Sequence, residues 1–580
     1  MGSGPAGSTA ALALASLGIP HLVITKHRHT ANSPRAHIIN QRTLDVLRDL
    51  GIDEEVHAKG VPLSTVCDAV YCTSLSGAEL GRVRTWGSHP DHVADYLTAG
   101  RTHGVDLPQH LLEPLLLSRA AALGSHVRFD CAYTGLIQKS DGVEVQALDR
   151  LSGTPLNIRA RYVIGADGAR SRVAEDIGLP YEGHMNLAGS ISIVFHADLT
   201  RLVAHRPGVL YWVLRPGADI GGIGLGLVRM VRPWNEWLAV WGYDITQTPP
   251  RLDDETARGL VHDLLGDDTI PVTIRSTASW GNNAQYATRY RNGRVFCAGD
   301  AVHRHPPSNG LGANTAIQDA FNLAWKLAYV VRGQAGEELL DTYDAERVPV
   351  GQQVTRRANQ SIEETSLVFQ ALGLQGSLTQ AEFDARIAAW RSSGPDGLAA
   401  RRELRAALRL KEYEFAAHGV EMGQVYRSTA VLGDHTPPPK PSRDPELFPQ
   451  PTTWPGARLP HAWLTDRQGC RVGIHDLTGH GGFTLLTGVA GDPWVEAGAT
   501  VADRLGIDLT THIIGPGQNY QDSYGDWAER NEIPEAGCVL VRPDGHVGWR
   551  CHTLPDTPQA DLELALTSIL HRPARRSGQA

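Results

Sequence analysis

Residues 1–18 read MGSGPAGSTAALALASLG, and the fold follows from how this stretch is understood. Gly2, Gly4 and Gly7 have the spacing Gly-x-Gly-x-x-Gly, in which a tight turn, a close backbone approach and a helix start together receive a pyrophosphate. The Ala- and Leu-rich run behind it predicts a helix ending at Gly18, and PHLVITK (20–26) reads as the strand that follows. AALALASL has the length of a signal-peptide core, but with no positively charged segment before it and a strand-like run behind it, we expect a helix of the fold. Loop, helix and strand in that order make a βαβ unit without its opening strand. We expect that strand upstream of Met1, since a central parallel strand carries ladder hydrogen bonds that a packed core needs.

A glycine pattern alone is weak, but two later stretches reinforce it. YVIGADGARSRVAEDIG (162–178) places Asp167 and Gly168 just after an apolar strand. GRVFCAGDAVHRHPPSNGLGANTAIQDAFNLAWKL (293–327) places Asp300 after another, followed by a glycine-rich turn into a helix. A carboxylate at a strand end accepts hydrogen bonds from ribose or ribityl hydroxyls, and amides at a helix start stabilise negative charge on a flavin ring.

The rest of the chain narrows the class. With 580 residues, several domains are expected. The net charge of −9 gives no basic footprint for nucleic acid, and no apolar run approaches the ~20 residues of a membrane span. The seven cysteines are scattered, without Cys-x-x-Cys or zinc spacing, which fits reduced thiols in a cytoplasmic protein and no metal site.

NQRTLDVLRDLGIDEEV (40–56) and LPQHLLEPLLLSRAAALG (107–124) have helical spacing, while GVEVQALD (142–149) reads as a strand. GSISIVFHADL, GVLYWVLRP, GGIGLGLVRMV and WLAVWGYDI, within 187–245, predict an inserted antiparallel sheet. Residues 361–430 read as charged helices, and HTPPPKPSRDPELFPQPTTWPG (435–456) as a linker. Beyond it, FTLLTGVA, PWVEAGATVADRLG, THIIG and CVLVRPDGHVGWR suggest a small α/β domain.

These three motifs resemble those of the flavin-dependent aromatic hydroxylases, the p-hydroxybenzoate hydroxylase superfamily. SPRAHIINQRTLDVLRDLG (33–51), DLPQHLLEPLL (106–116) and RPWNEWLAVWGYDI (232–245) look most like the bacterial chlorophenol monooxygenases of its phenol hydroxylase branch. The resemblance covers nearly the whole chain. It implies an α/β, Rossmann-like FAD-binding fold with an inserted antiparallel-sheet substrate domain and a C-terminal thioredoxin-like domain. The expected parts are 1–180 and 286–360 for FAD, 181–285 for substrate, a helical region 361–431, a linker 432–455 and the thioredoxin-like domain 456–575.

The resemblance also implies roles. Gly2, Gly4 and Gly7 would hold the FAD pyrophosphate, with Arg35 near it and near the nicotinamide nucleotide. Gln109 would contact the ribityl region and Asp300 its hydroxyls. The backbone of Gly312, Ala313 and Asn314 would face the isoalloxazine, and Asp167 and Gly168 would serve both FAD and NAD(P)H. Pro306 and Pro307 would line the side where oxygen and substrate meet. Thr25 stands where the family usually has an acid for the adenosine ribose; a hydroxyl there would bind more weakly. The implied reaction is reduction of FAD by NADPH or NADH, formation of a C4a-hydroperoxide with O2, and oxygen transfer to a small phenol ortho to its hydroxyl, in a homodimer. His37 is the candidate base, because a related branch has an acid there and imidazole titrates near neutrality.

Plainer roles stand beside these. His303 and His305 lack a third metal ligand. Tyr211, Trp212, Trp234, Trp237, Trp241 and Tyr243 suit either a pocket or a sheet core. Arg229 and Arg232 suit phenolate binding or a sheet edge, and Cys538 and Cys551 lack dithiol spacing. Rival functions are a tailoring hydroxylase of an aromatic polyketide, a flavin-binding scaffold without oxygenase activity, and a flavin reductase or disulfide oxidoreductase.

Overall fold

The computed structural model describes residues 1–216, 226–374 and 378–572. Residues 221–225 of the expected GGIGLGLVRMV strand, and 573–575 of the expected C-terminal domain, lie outside these. The run behind the first glycines forms the helix Pro5–Ser16, with Pro5 in the first turn, where its missing N–H has no intrahelical partner to lose. Every residue from Ala6 to Ala15 is buried, because the helix is packed between two others, Gln109–Ala122 and Gly312–Val331. Its small side chains let all three approach closely.

Residues 1–4 carry no strand. Leu22–Ile24 pairs in parallel with His126–Arg128, and Val163–Gly165 pairs in parallel with Val295–Cys297. Met1 and Gly2 bridge these two half-sheets. The Gly2 N–H donates to Ile24 O (2.8 Å), the Met1 amino group to Ile164 O (2.7 Å), and the Ala166 N–H to Met1 O (2.8 Å).

The inserted sheet has eight strands, in the order His303–Arg304, Thr273–Ala287, Tyr181–His196, Glu236–Tyr243, Gly226–Arg232, Gly208–Val213, Asp68–Cys72, Glu79–Arg84. The substrate region expected at 181–285 therefore borrows a hairpin, 68–84, from the first part of the chain. The sequence hid that strand because DAVYC is buried at all five positions and shows no alternation. The sheet packs on the helices Asp254–Leu265, Gln380–Arg391 and Pro395–Leu410 in one large buried cluster.

A single helix, Thr342–Ala371, runs through the boundary drawn at 360/361. No glycine or cap stops it there, and buried positions continue from Ala358 through Ser361 and Thr365 to Val368. Residues 423–462 hold no helix or strand. The C-terminal unit then has the thioredoxin-like order. Phe483–Thr487 and Leu509–Ile513 are parallel, joined by the helix Asp492–Leu505. Cys538–Val541 and Val547–Cys551 are antiparallel and lead into the helix Pro558–Ile569. All seven cysteines are free thiols, and no helix among the described residues is long and apolar enough to cross a membrane.

Glu421, in the short helix His418–Met422, is buried, and its Oε2 has no partner. Burial pushes its carboxyl up to about 8. The folded chain thus holds a proton that the unfolded chain releases near 4, so wild-type stability falls as pH rises through that window. Glu421→Gln carries no such penalty. Its stability advantage should grow by about 1.4 kcal/mol per pH unit between about pH 5 and about pH 8. Thermal midpoints of the two proteins across that range test this; a gap independent of pH would refute it.

Candidate active site

Gly2 has φ +103°, and a Cβ there would lie 2.1 Å from Ala166 O; one on Gly7 would lie 2.1 Å from Gly2 O. Backbone seals both positions, so these glycines serve the turn itself. Gly4 differs. Its φ of −71° suits any residue, and the nearest atom to a Cβ would be Glu113 Oε1 at 4.0 Å. That bareness opens a cleft. Ala6, Ala166, Ala298 and Ala316 form one small buried cluster, which brings the three glycine-containing motifs to a point. The helices Pro5–Ser16 and Gly312–Val331 both begin there, and their first N–H groups lack intrahelical acceptors.

The side chains around this point are polar and open. Asp300 is exposed, and among the described residues no protein group donates to its carboxylate. The surrounding walls raise its pKa, opposed by His303, Arg304 and Arg35. Burial likewise raises Glu113, whose Oε2 accepts from the Ala31 N–H (2.6 Å) and whose Oε1 accepts from Gln109 Nε2 (2.5 Å); Arg35 again favours ionisation. Arg35 therefore stands close to two acids beside the Gly4 cleft. Asn314 Nδ2 donates to Ile38 O (2.8 Å) and its Oδ1 accepts from the Asn40 N–H (3.1 Å), tying the helix start to the 38–40 segment. Pro306 is buried and Pro307 exposed.

Two motif residues turn inwards. Asp167 accepts from the Ser171 hydroxyl (2.5 Å) and the Arg172 N–H (2.9 Å), so its carboxylate is engaged by its own loop, beside Gly168 at φ +86°. Thr25 is buried, with its hydroxyl accepting from the His27 N–H (3.4 Å), so it offers no exposed hydroxyl in place of an acid. Lys26, His27, Arg28 and His29 follow it in an exposed row.

His37 is buried one residue from Ile38. Its Nδ1 lies 3.3 Å from Asp106 Oδ1, and Arg229 Nη2 donates to Asp106 Oδ2 at 2.5 Å. The pairing of Ile38 with Asp106 puts these residues side by side, and Arg229 reaches them from the eight-stranded sheet. Asp106 stays ionised despite its burial, through Arg229 and His37. An ionised carboxylate only accepts, so the His37 proton sits on Nδ1, leaving Nε2 an acceptor without a protein partner. The expectation that His37 titrates near neutrality fails. Burial and the Arg229 charge press it down to about 4, outweighing Asp106.

Arg229 is not at a sheet edge; it lies opposite Leu238, on the face that also carries the buried cluster Val194, Val231, Leu238 and Val240. Arg232 is directed to the Lys59 carbonyl. All six aromatics belong to the large buried cluster of the sheet or pack against it: Tyr211 bonds Arg206 O and Trp237 bonds Trp234 O, while Trp212 stands opposite Leu227, on the side of Arg229. His303 pairs with Asp319 (2.7 Å), His305 bonds Pro306 O (2.8 Å), and no His/Cys/Asp/Glu group among the described residues is arranged to hold a metal. Cys538 and Cys551 face each other across adjacent strands as free thiols. Asp106 and Glu113 were missed in the sequence. Glu113 was within reach, being four residues from Gln109 on one helix face.

Residues 1–358 match the family described as FAD binding domain, and residues 452–573 that described as aromatic-ring hydroxylase, C-terminal. The chain belongs to the FAD-dependent aromatic hydroxylases. This hydroxylase is 51% identical to 2,4-dichlorophenol 6-monooxygenase of Delftia acidovorans, over 98% of this chain and 97% of that one. It is 48% identical to phenol 2-monooxygenase of Pseudomonas sp. (strain EST1001), over 98% and 91%. The crystal structure of the flavin-dependent monooxygenase PieE with FAD and substrate superposes with a TM-score of 0.95 at 41% identity, covering 99% and 98% of the chains. The hydroxylase binds FAD, and the cleft fits it: bare backbone at Gly4, two helix starts for anionic groups and an unpaired Asp300 for hydroxyls.

Gly4 and Gly7 separate binding from folding. Gly4→Ala should leave the thermal midpoint of the apoprotein unchanged and weaken FAD binding at least about tenfold, by blocking one close approach. Gly7→Ala should lower the midpoint itself. Equal effects of the two in a fluorescence titration and a thermal scan would refute the assignment.

Proposed function

We propose that this hydroxylase adds one oxygen atom to a small, chlorophenol-like phenol, ortho to its hydroxyl, using O2 and NADPH. The carrying observation is the buried His37–Asp106–Arg229 array beside a largely apolar sheet face, in a chain half identical to a dichlorophenol monooxygenase. An apolar wall accommodates the ring, and a single unpaired acceptor orients its hydroxyl.

Gly2, Gly4, Gly7, Arg35, Gln109, Asp300 and the amides of Gly312, Ala313 and Asn314 hold FAD, with Asp167 and Gly168 shaping the loop beside it and Pro307 facing the substrate. When bound, FAD would supply the two-electron redox chemistry that links the nicotinamide to O2. The exposed row Lys26, His27, Arg28 and His29, near Arg35, supports a donor with an extra phosphate, hence NADPH before NADH. Seven free thiols support a cytoplasmic setting, and the homodimer rests on family resemblance.

A base with a pKa of about 4 does not deprotonate a resting phenol. His37 Nε2 instead accepts a hydrogen bond from the phenol and takes the proton once oxygen addition makes that hydroxyl strongly acidic. Asp106 fixes the tautomer and stabilises the imidazolium that forms.

FAD-loaded protein should oxidise NADPH faster with a chlorophenol than with a polyketide aglycone, giving a product heavier by one oxygen. Stimulation by the aglycone alone would replace the small-phenol reading, and stimulation by neither would remove it. His37→Gln should cut turnover of a neutral phenol about 10²-fold and that of a phenol already ionised at the assay pH far less. Equal losses on both would discard His37 as proton acceptor.

A further inference from the structure

Asp319, in the helix Gly312–Val331, is wholly buried. Its Oδ2 accepts from the Gly299 N–H (3.1 Å) and pairs with His303 Nε2 (2.7 Å). One carboxylate thus holds both ends of the 299–303 loop that presents Asp300. Its Oδ1 accepts from Arg347 Nε at 2.7 Å, and Arg347 and His303 keep the carboxyl ionised despite its burial.

Arg347 leads away from the cleft. From the helix Thr342–Ala371, with a side chain wholly excluded from solvent, it donates to Gln424 Oε1 (2.8 Å), Tyr426 Oη (3.0 Å) and Thr315 O (3.3 Å). The Tyr426 ring lies against His546, centroids 4.0 Å apart and planes 24° apart. His546 belongs to the turn 542–546 joining two strands of the C-terminal unit. In that turn, Arg542 pairs twice with Glu346, the neighbour of Arg347, at 2.6 and 2.8 Å. Asp544 accepts from Asn322 of the Gly312–Val331 helix at 3.0 Å, and its carbonyl accepts from Arg42 at 2.8 Å. The turn therefore reaches three helices, two of which carry the residues that tether the Asp300 loop.

We propose that Asp319 and Arg347 are positioning residues for the FAD-binding loop, and that the C-terminal domain fixes them through Tyr426 and its 542–546 turn. The domain has no dithiol pair spaced for thioredoxin chemistry, and this gives it another task. Gly299 sits at φ +65°, a conformation that glycine leaves easily, so the loop gains its binding geometry from outside anchors. The proposal rests on the reading that Asp300 contacts FAD.

The test uses full-length protein, stripped of FAD and titrated with it by flavin fluorescence. Tyr426→Phe removes the hydroxyl bonded to Arg347 and keeps the ring on His546; Asp319→Asn removes the charge. Leu464→Ala is the control, since Leu464 is buried in the C-terminal domain on the strand Trp463–Asp466, which pairs with Arg471–Gly473 and Tyr520–Gln521 and not with the 542–546 turn. Tyr426→Phe should raise the FAD dissociation constant about tenfold and Asp319→Asn further, with the bound-flavin absorption spectrum shifted towards free FAD. Leu464→Ala should lower the thermal midpoint and leave FAD affinity and spectrum as in wild type. Wild-type affinity and spectrum in Tyr426→Phe overturn the proposal even if Asp319→Asn fails to fold. It also falls if Leu464→Ala weakens FAD as much as Tyr426→Phe. Wild-type affinity in an Asp300→Ala variant would instead overturn the reading of the loop itself.

Discussion

Four alanine side chains decide how near three loops can stand. Ala6, Ala166, Ala298 and Ala316 meet where two helices begin and two parallel strands end. A larger side chain at any of them would push a loop away from the others, and a nucleotide spanning the cleft would lose one contact for each that moved. The small residues make the two helix starts, and the partial positive charge each carries, neighbours rather than separate features. What surrounds this point, from Arg35 to the Asp319 anchor, keeps those starts in register.

The Asp106–Arg229 pair works at the opposite wall. It joins a short strand of the nucleotide-binding part to the inserted sheet, with the carboxylate fully excluded from water. Such a pair contributes little net stability, because desolvation offsets attraction, but it specifies one arrangement of the two parts. It also bears on the state of His37. Burial keeps the imidazole neutral, and the same positive charge that anchors Asp106 adds to that effect.

The strand-to-loop motifs were readable in sequence because glycine at fixed spacing has few structural meanings: the positions of Gly2, Gly4, Gly7, Asp167 and Asp300 around one point follow from it. The inserted sheet was readable from apolar runs that alternate with polar or glycine-rich ones across 187–245, and the C-terminal α/β order from its runs. The hairpin 68–84 was not, since a strand buried on both faces has no period. Nor was the state of His37, because its depressed pKa comes from burial and then from Arg229, nearly two hundred positions along the chain, and no local pattern carries either. The aromatics of the sheet were ambiguous for a related reason: alternation says that a side chain leaves a strand on a given face, and only packing says which face is covered.

The borrowed hairpin has a consequence for how the chain is made. Asp68–Cys72 finds its parallel partner in Gly208–Val213, and Cys72 and Trp212 are 140 residues apart. At ribosomal speed, that interval lasts on the order of ten seconds. During it the DAVYC strand has only Glu79–Arg84 for company, one of its edges is unpaired, and the layer that will cover it has yet to leave the ribosome. The nascent chain must therefore keep an apolar edge from other strands until the insertion arrives. A graft that exchanged only residues 181–285 between relatives would separate this strand from the partner with which it was matched.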